Sequence, residues 1–200
     1  MLDARKMQRR LGVADDGIVG GGTLAALFAK LGARAPIAEE LGVAANVHFR
    51  TYEIMATPLR LAHFLGQCGH ESGGFRYMEE IASGAAYEGR EDLGNVRPGD
   101  GTLFKGRGPI QLTGRANYRR DGRTLGIDFE RHPLIVALPS IGLMVSCLFW
   151  QSRGLNAWAD RDDWRACSRG VNRGNPKATR PANHEAERLA FTDRVKALVL

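Results

Sequence analysis

The segment Thr57 to Phe75 constrains this chain more than any other, because it reads as one apolar helix with defined ends and a carboxylate in its last turn. Thr57 suits an N-cap, Pro58 suits the first helical position, and Leu61, Phe64, Leu65 and Cys68 recur at the spacing of a single buried face. Gly73 and Gly74 stop the helix. Extending the apolar face by three or four residues reaches Glu71 and Ser72, so Glu71 is expected at the edge of the core and at the negative end of the helix dipole. Both effects disfavour the ionised form, and a carboxylic acid held protonated near neutral pH suits a general acid. The competing reading is a solvated last-turn glutamate with no role. A second acidic pair, Glu79-Glu80, follows, and spacing alone does not choose between its members.

With 200 residues and 44% hydrophobic content, the chain can bury one sizeable core and a small appendage. Met1 to Arg10 is polar and lacks the apolar stretch of a secretory leader, which predicts synthesis without a signal peptide. Three cysteines without a Cys-x-x-Cys spacing read as unpaired thiols. The uncharged run from Pro133 to Trp150 is interrupted at Pro139-Ser140, which leaves too little for a membrane span and predicts a buried helix from Ser140. The net charge is +6, and Arg165, Arg169, Arg173, Lys177 and Arg180 follow one another with no acid between them. Such a surface favours polyanions, namely nucleic acid, anionic lipid or envelope polymers, or else is a solvated face.

Residues 5–32 read as a compact unit, with Asp16-Gly17-Ile18-Val19-Gly20 as its turn and Thr23 capping a helix through Leu31. Gly32 to Pro36 reads as a linker, followed by a weak helix around Ile37 to Leu41 and an apolar stretch from Val47 to Met55. Gly84 to Gly108 is a long loop rich in turn formers. It leads into Gly106-Arg107-Gly108-Pro109-Ile110-Gln111-Leu112-Thr113-Gly114-Arg115-Ala116-Asn117-Tyr118, a strand-like segment entered through alternating glycines. A phosphate loop is excluded there, since no Gly-Lys-Ser/Thr ending is present. The C-terminal third is helical, over Ser140–Arg153, from an Asp160 cap through Ser168, and over Pro181–Leu200, with the loop Gly170 to Pro176 between the last two. His63 and His70 lack a His-Glu-x-x-His partner, so no metal site and no cofactor are expected.

The order of these pieces, His70-Glu71-Ser72-Gly73-Gly74-Phe75, the paired acids, the Gly106 to Tyr118 block and an Asn172-Arg173-Gly174 loop, resembles glycoside hydrolase family 19 over roughly residues 52–195. Within the family it is most similar to the phage and prophage endolysins. The resemblance implies a mostly α, lysozyme-like helical domain with a small β or loop element beside the cleft, hydrolysing β-1,4 bonds of N-acetylhexosamine polymers with inversion. It assigns Glu71 as general acid, Glu80 rather than Glu79 as general base and Thr113 as a holder of the attacking water. It assigns His70, Gln111, Asn117, Tyr118, Asn172 and Arg188 to the substrate cleft, with Arg188 pairing the catalytic carboxylate. Nine extended residues could separate two carboxylates by ~30 Å, whereas inversion needs roughly 6.5–9.5 Å. The chain must therefore double back, and Gly73-Gly74 is where it can. Residues 16–27 also resemble a shortened peptidoglycan-binding repeat, which divides the chain into a small N-terminal unit, 1–45, and a catalytic domain, 46–200.

The resemblance thus predicts a monomeric endolysin that cuts peptidoglycan between N-acetylmuramic acid and N-acetylglucosamine, without specific nucleic-acid binding or stable membrane association. Made in the host cytoplasm, it would reach the wall in the periplasm through a pore formed by another protein. Chitin is the alternative substrate. Two other classes compete: a thiol amidase with Cys68 as nucleophile and His132 or His184 as base, and a non-enzymatic polymer-binding module using the arginine-rich C-terminal third.

Overall fold

A computed structural model describes residues 2–200 and is built from ten α-helices, with no strand longer than a bridge pair among the described residues. They are α1 (Ala4–Leu11), α2 (Gly21–Leu31), α3 (Ala35–Thr51), α4 (Pro58–Glu71), α5 (Asp100–Leu103), α6 (Arg115–Leu125), α7 (Pro139–Ser152), α8 (Leu155–Ala159), α9 (Trp164–Arg173) and α10 (Glu185–Val199). No helix among the described residues is long and apolar enough to cross a membrane.

The helix α4 forms where the sequence predicts it. The Thr57 hydroxyl accepts from Arg60 N–H at 3.1 Å, and Leu61, Phe64, Leu65 and Cys68 are fully buried. It crosses α10 at close range through two glycines: a Cβ on Gly66 would lie 2.2 Å from Thr192 Oγ1, and one on Gly69 2.2 Å from Phe191. Only a glycine ridge lets the axes approach so nearly. The helix α7 also lies where the uncharged run predicts it, and its first turn is capped from α3, with Glu40 Oε1 accepting from Ser140 N–H at 2.9 Å and its hydroxyl at 2.6 Å.

One large core unites α1–α4 with α7–α10, and a smaller one, built on Phe104, Leu112, Tyr118, Phe129, Val136 and Val145, lies under the 104–145 region. Four aromatic contacts run through the large core, Trp150 on Phe64 at 5.5 Å, Phe64 on Phe49 at 5.3 Å, Phe49 on Phe28 at 6.2 Å and Phe28 on Phe75 at 4.9 Å. They connect the N-terminal helices to the turn that follows Glu71.

Several local expectations need correction. The limit between 1–45 and 46–200 falls inside α3, which is one continuous 17-residue helix rather than a weak helix followed by an apolar stretch. Gly20, not Thr23, stands at the N-cap of α2; Thr23 is buried in its first turn, where its hydroxyl accepts from Gln8 Nε2 at 3.3 Å. Asp163, not Asp160, caps α9, accepting from Ala166 N–H at 2.9 Å, while Asp160 instead binds Arg60 at 2.7 Å. The strand-like segment after Gly106 makes only two isolated bridges, Glu79 with Arg107 and Arg107 with Leu112. The 84–108 loop is tied down from within, with Asn95 and Asp100 buried.

Candidate active site

Past Glu71 the backbone enters the left-handed region three times running, at Gly73 (φ 60°), Gly74 (φ 78°) and Phe75 (φ 61°). Glycine adopts that region without cost, but Phe75 does not, and its burial against Phe28 is what holds it there. The reversal brings Glu79 and Glu80 back beside the helix end. Glu71, Glu79, Glu80 and Gln111 line one cleft of about 260 Å³ with Tyr77 and Ile81, ample for a sugar-bound water at ~30 Å³.

Glu71 is half-buried and bonded to Arg188, whose Nη2 donates to Glu71 Oε1. Helical period does not reveal this counter-charge, which arrives from a helix more than a hundred residues away in sequence. Arg188 is itself 2% exposed; its Nη1 donates to Gln67 Oε1 at 2.8 Å, its Nε donates to Asn183 O at 2.8 Å, and Gln67 Nε2 donates to Ser168 Oγ at 3.1 Å. Glu71 is thus anchored by a buried polar chain in which each donor has an acceptor.

The two adjacent acids are held differently. Glu79 is bound by two cations, Arg107 at 3.0 Å and Lys105 at 3.5 Å. The Glu80 carboxylate receives only neutral donors, with Tyr87 O–H to Oε1 at 3.1 Å and Gly106 N–H to Oε2 at 3.2 Å, while Lys105 Nζ donates to the Glu80 backbone carbonyl at 3.0 Å. Burial, and then the Glu80 charge, push the Tyr87 phenol above its ordinary pKa, so it remains a donor at neutral pH. A Cβ on Gly106 would lie 2.6 Å from Gln111 Oε1 and 3.3 Å from Glu80 Oε2, so a side chain there would displace both cleft side chains. Gln111 sits at φ 59° with Nε2 donating to Gly108 O at 2.8 Å.

The other expected cleft residues lie elsewhere. Thr113 and Asn117 line a neighbouring hollow of about 200 Å³ that shares Gln111 with the cleft; Thr113 Oγ1 donates to Gln111 O at 2.9 Å and Asn117 Nδ2 to Thr113 O at 2.7 Å. Tyr118 is fully buried, its hydroxyl donating to Lys105 O at 2.8 Å and accepting from Arg107 at 3.1 Å, so it supports the site from beneath and cannot touch a substrate. Arg188, equally buried, bonds Glu71, Gln67 and Asn183 O and does not line the cleft itself. Asn172 Oδ1 accepts from Asn183 N–H at 2.9 Å, and thereby fixes the turn whose carbonyl receives Arg188. His70 faces a different hollow, behind the helix end, where burial and the nearby Arg188 lower its pKa.

The thiol-amidase alternative finds no support at Cys68. The Cys68 thiol is fully buried, and burial followed by the Glu71 charge raises its pKa well above the ordinary value, the reverse of an activated nucleophile. Among the described residues no group of His, Cys, Asp or Glu is arranged to hold a metal ion.

A family model described as chitinase class I matches residues 43–160. An endochitinase of Arabidopsis thaliana is 31% identical over 157 residues, which cover 78% of this chain and 54% of the relative. A glycosyl hydrolase family 19 domain-containing protein of Haemophilus influenzae is 32% identical over 103 residues, 36% of this chain and 52% of that one. The chain spans about half the length of these curated relatives. The solved chitinase C from Streptomyces griseus superposes with a TM-score of 0.70 at 20% identity, over 91% of this chain and 94% of that chain; a class IV chitinase from Zea mays gives 0.61 at 19%, over 96% and 89%. These two likenesses establish the shared helical fold.

Proposed function

Because this chain belongs to glycoside hydrolase family 19, we propose that it hydrolyses the β-1,4 glycan bonds of peptidoglycan, as a lytic enzyme of the endolysin type, with Glu71 as acid and Glu80 as base. The observation that carries the reading is the single cleft in which Glu71 and Glu80 stand together, with only neutral donors on the Glu80 carboxylate. Glu71 gives its proton to the glycosidic oxygen as the bond to the anomeric carbon breaks, while Glu80 takes a proton from a water attacking the opposite face. One inverted hemiacetal and one free alcohol result.

The surrounding groups have positioning roles. Arg188 and Gln67 keep Glu71 aimed into the cleft, and Tyr87 and Gly106 fix the plane of the Glu80 carboxylate. Gln111 forms the wall between the cleft and the Thr113 hollow. Thr113, beyond that wall, holds the Gln111 carbonyl and Asn117 holds that of Thr113, so both serve to position Gln111. Mutual orientation of acid, water and base is where the catalytic advantage arises.

Chitin is the second reading, favoured by relatives that are themselves endochitinases. Mass spectrometry of products from defined peptidoglycan and from chitin oligomers separates the two. We expect new reducing ends at N-acetylmuramic acid from peptidoglycan, and a fall of ~100 to ~10,000-fold in their release by Glu71→Gln. Intact strands, or a fully active Glu71→Gln variant, would overturn the assignment.

A further inference from the structure

The turn Gly73–Tyr77 has a hollow on each flank. Tyr77 lines the carboxylate cleft, and its ring packs so closely on Gly73 that a Cβ there would lie 3.0 Å from Tyr77 Cδ2. The other flank holds a hollow of about 370 Å³, larger than the cleft, that no step of the reaction uses. Its floor is the meeting of two backbones, where a Cβ on Gly32 would lie 3.0 Å from Gly74 O, and Phe191 forms an apolar wall.

Two guanidinium groups, Arg76 and Arg194, border this hollow, and neither is paired with a carboxylate among the described residues. Arg76 Nε donates to Gly73 O at 2.6 Å and Arg194 Nη2 to Lys30 O, which leaves the remaining N–H groups of each without an anion. Glu187 lies on the same rim, 63% exposed, with His184 at 3.8 Å. The rim therefore presents two cations and one anion around an apolar wall. His70, in the same hollow, is the residue before the proposed acid.

We propose that this hollow binds the peptide stem of the substrate, the short chain of alternating D- and L-residues that N-acetylmuramic acid carries on its lactyl group. The inference rests on the peptidoglycan reading above. A chitin strand has no ionised group to engage two unpaired arginines, whereas a stem carries several carboxylates for Arg76 and Arg194 and, in its diamino acid, an ammonium for Glu187. Its alanine methyls suit the Phe191 wall. Four extended residues reach about 13 Å, and the two hollows are separated by adjacent residues, His70 lining one and Glu71 the other. The stem-binding hollow would make substrate choice a matter of charge outside the cleft, with the chemistry inside it unaltered.

The test compares three substrates: peptidoglycan strands with intact stems, the same strands stripped of stems by an amidase, and a chitin oligomer. Wild-type enzyme should have a KM about 10-fold lower for stem-bearing than for stripped strands, and the Arg76→Gln/Arg194→Gln double variant should bring the ratio close to one. Arg76→Gln alone, which breaks no contact between helices, should move the ratio part of the way. A folding defect would shift both strand types together and leave the ratio in place, so the ratio isolates the stem. If wild type cleaves both strand types with equal KM, or the double variant keeps the wild-type ratio, the stem site is overturned while the peptidoglycan reading stands. If wild type cleaves only the chitin oligomer, that reading falls and the stem site falls with it.

Discussion

Glu79 and Glu80 are neighbours with opposite surroundings, and the difference predicts which one the reaction needs. The Glu79 carboxylate is committed to Arg107 and Lys105, which tie it to the 105–107 segment. The Glu80 carboxylate, held by a phenol and an amide, is in no ion pair among the described residues and lines the same cleft as Glu71. Glu80→Gln should therefore lower kcat ~100 to ~10,000-fold with little change in melting temperature. Glu79→Gln should instead cost stability, about 1–3 kcal/mol, by leaving the buried Arg107 short of an acceptor, and should retain most of the turnover per folded molecule. Steady-state assays paired with thermal melts separate the two. The Glu71 position was legible in sequence because helical period alone delivers it to the end of an apolar face. The choice of Glu80 was not, since adjacent residues exchange faces with any change of local backbone, and only the resemblance favoured it. The Tyr87 contact with Glu80 has no signature in the sequence: it lies in an aperiodic loop, where no spacing rule links a phenol to a carboxylate seven residues earlier.

At the scale of elements, the acid depends on how closely α4 and α10 approach, because Arg188 is carried on α10 and Glu71 on α4. Replacing Gly66 by alanine sets two effects against each other. Alanine favours the helix by about 1 kcal/mol over glycine, but its Cβ would sit 2.2 Å from Thr192 Oγ1 and 2.8 Å from Thr192 Cα, so backbone as well as side chain must move. Overpacking of that kind costs typically about 1–3 kcal/mol or more, and the clash wins. Gly66→Ala should lower the melting temperature by about 5 °C and lower kcat through the displaced Arg188, with KM less affected. The boundaries of α4 and α7 were readable because cap, proline and apolar stripe coincide there. The continuity of α3 was not: its buried positions, among them Ala38, Leu41, Ala45 and Phe49, serve neighbours on two sides, so small residues replace the clear stripe that a one-faced helix would show. The Asp163 cap was missed for a plainer reason, since Asp160, Asp162 and Asp163 offer equivalent side chains and the tertiary contact with Arg60 decides which is free to cap.

For the molecule as a whole, ion pairs beneath the smaller core set its behaviour in acid. Hydrogen bonds from Arg119, ahead of those from Arg115, hold Glu130 down to about 2, and Arg115 likewise lowers the pKa of buried Asp100. Depressed carboxylates contribute stability that is complete above their unfolded pKa values and is lost as pH falls through the folded ones, so melting temperature should decline between pH about 4.5 and about 2. Arg115→Gln should lower stability at neutral pH and flatten that decline, because both carboxylates lose a shared partner. The N-terminal helices pose the larger question, since a wall-binding unit and a structural part of the enzyme make opposite predictions. Met7, Leu24, Leu27, Phe28 and Leu31 are buried in the same core as α4 and α7, and Phe28 is the edge contact that holds Phe75 in its left-handed turn. Losing one such aromatic costs about 3–5 kcal/mol, which alone is a large share of a domain's typical stability of about 5–15 kcal/mol. A chain beginning at Arg34 should therefore fail to fold cooperatively, and should lose hydrolysis of soluble glycan oligomers as well as of whole walls. Circular dichroism melts and reducing-end assays on both substrates provide the check. A truncated chain that melts cooperatively and still cuts soluble oligomers, having lost only its affinity for the wall, would instead identify α1 and α2 as a detachable binding unit.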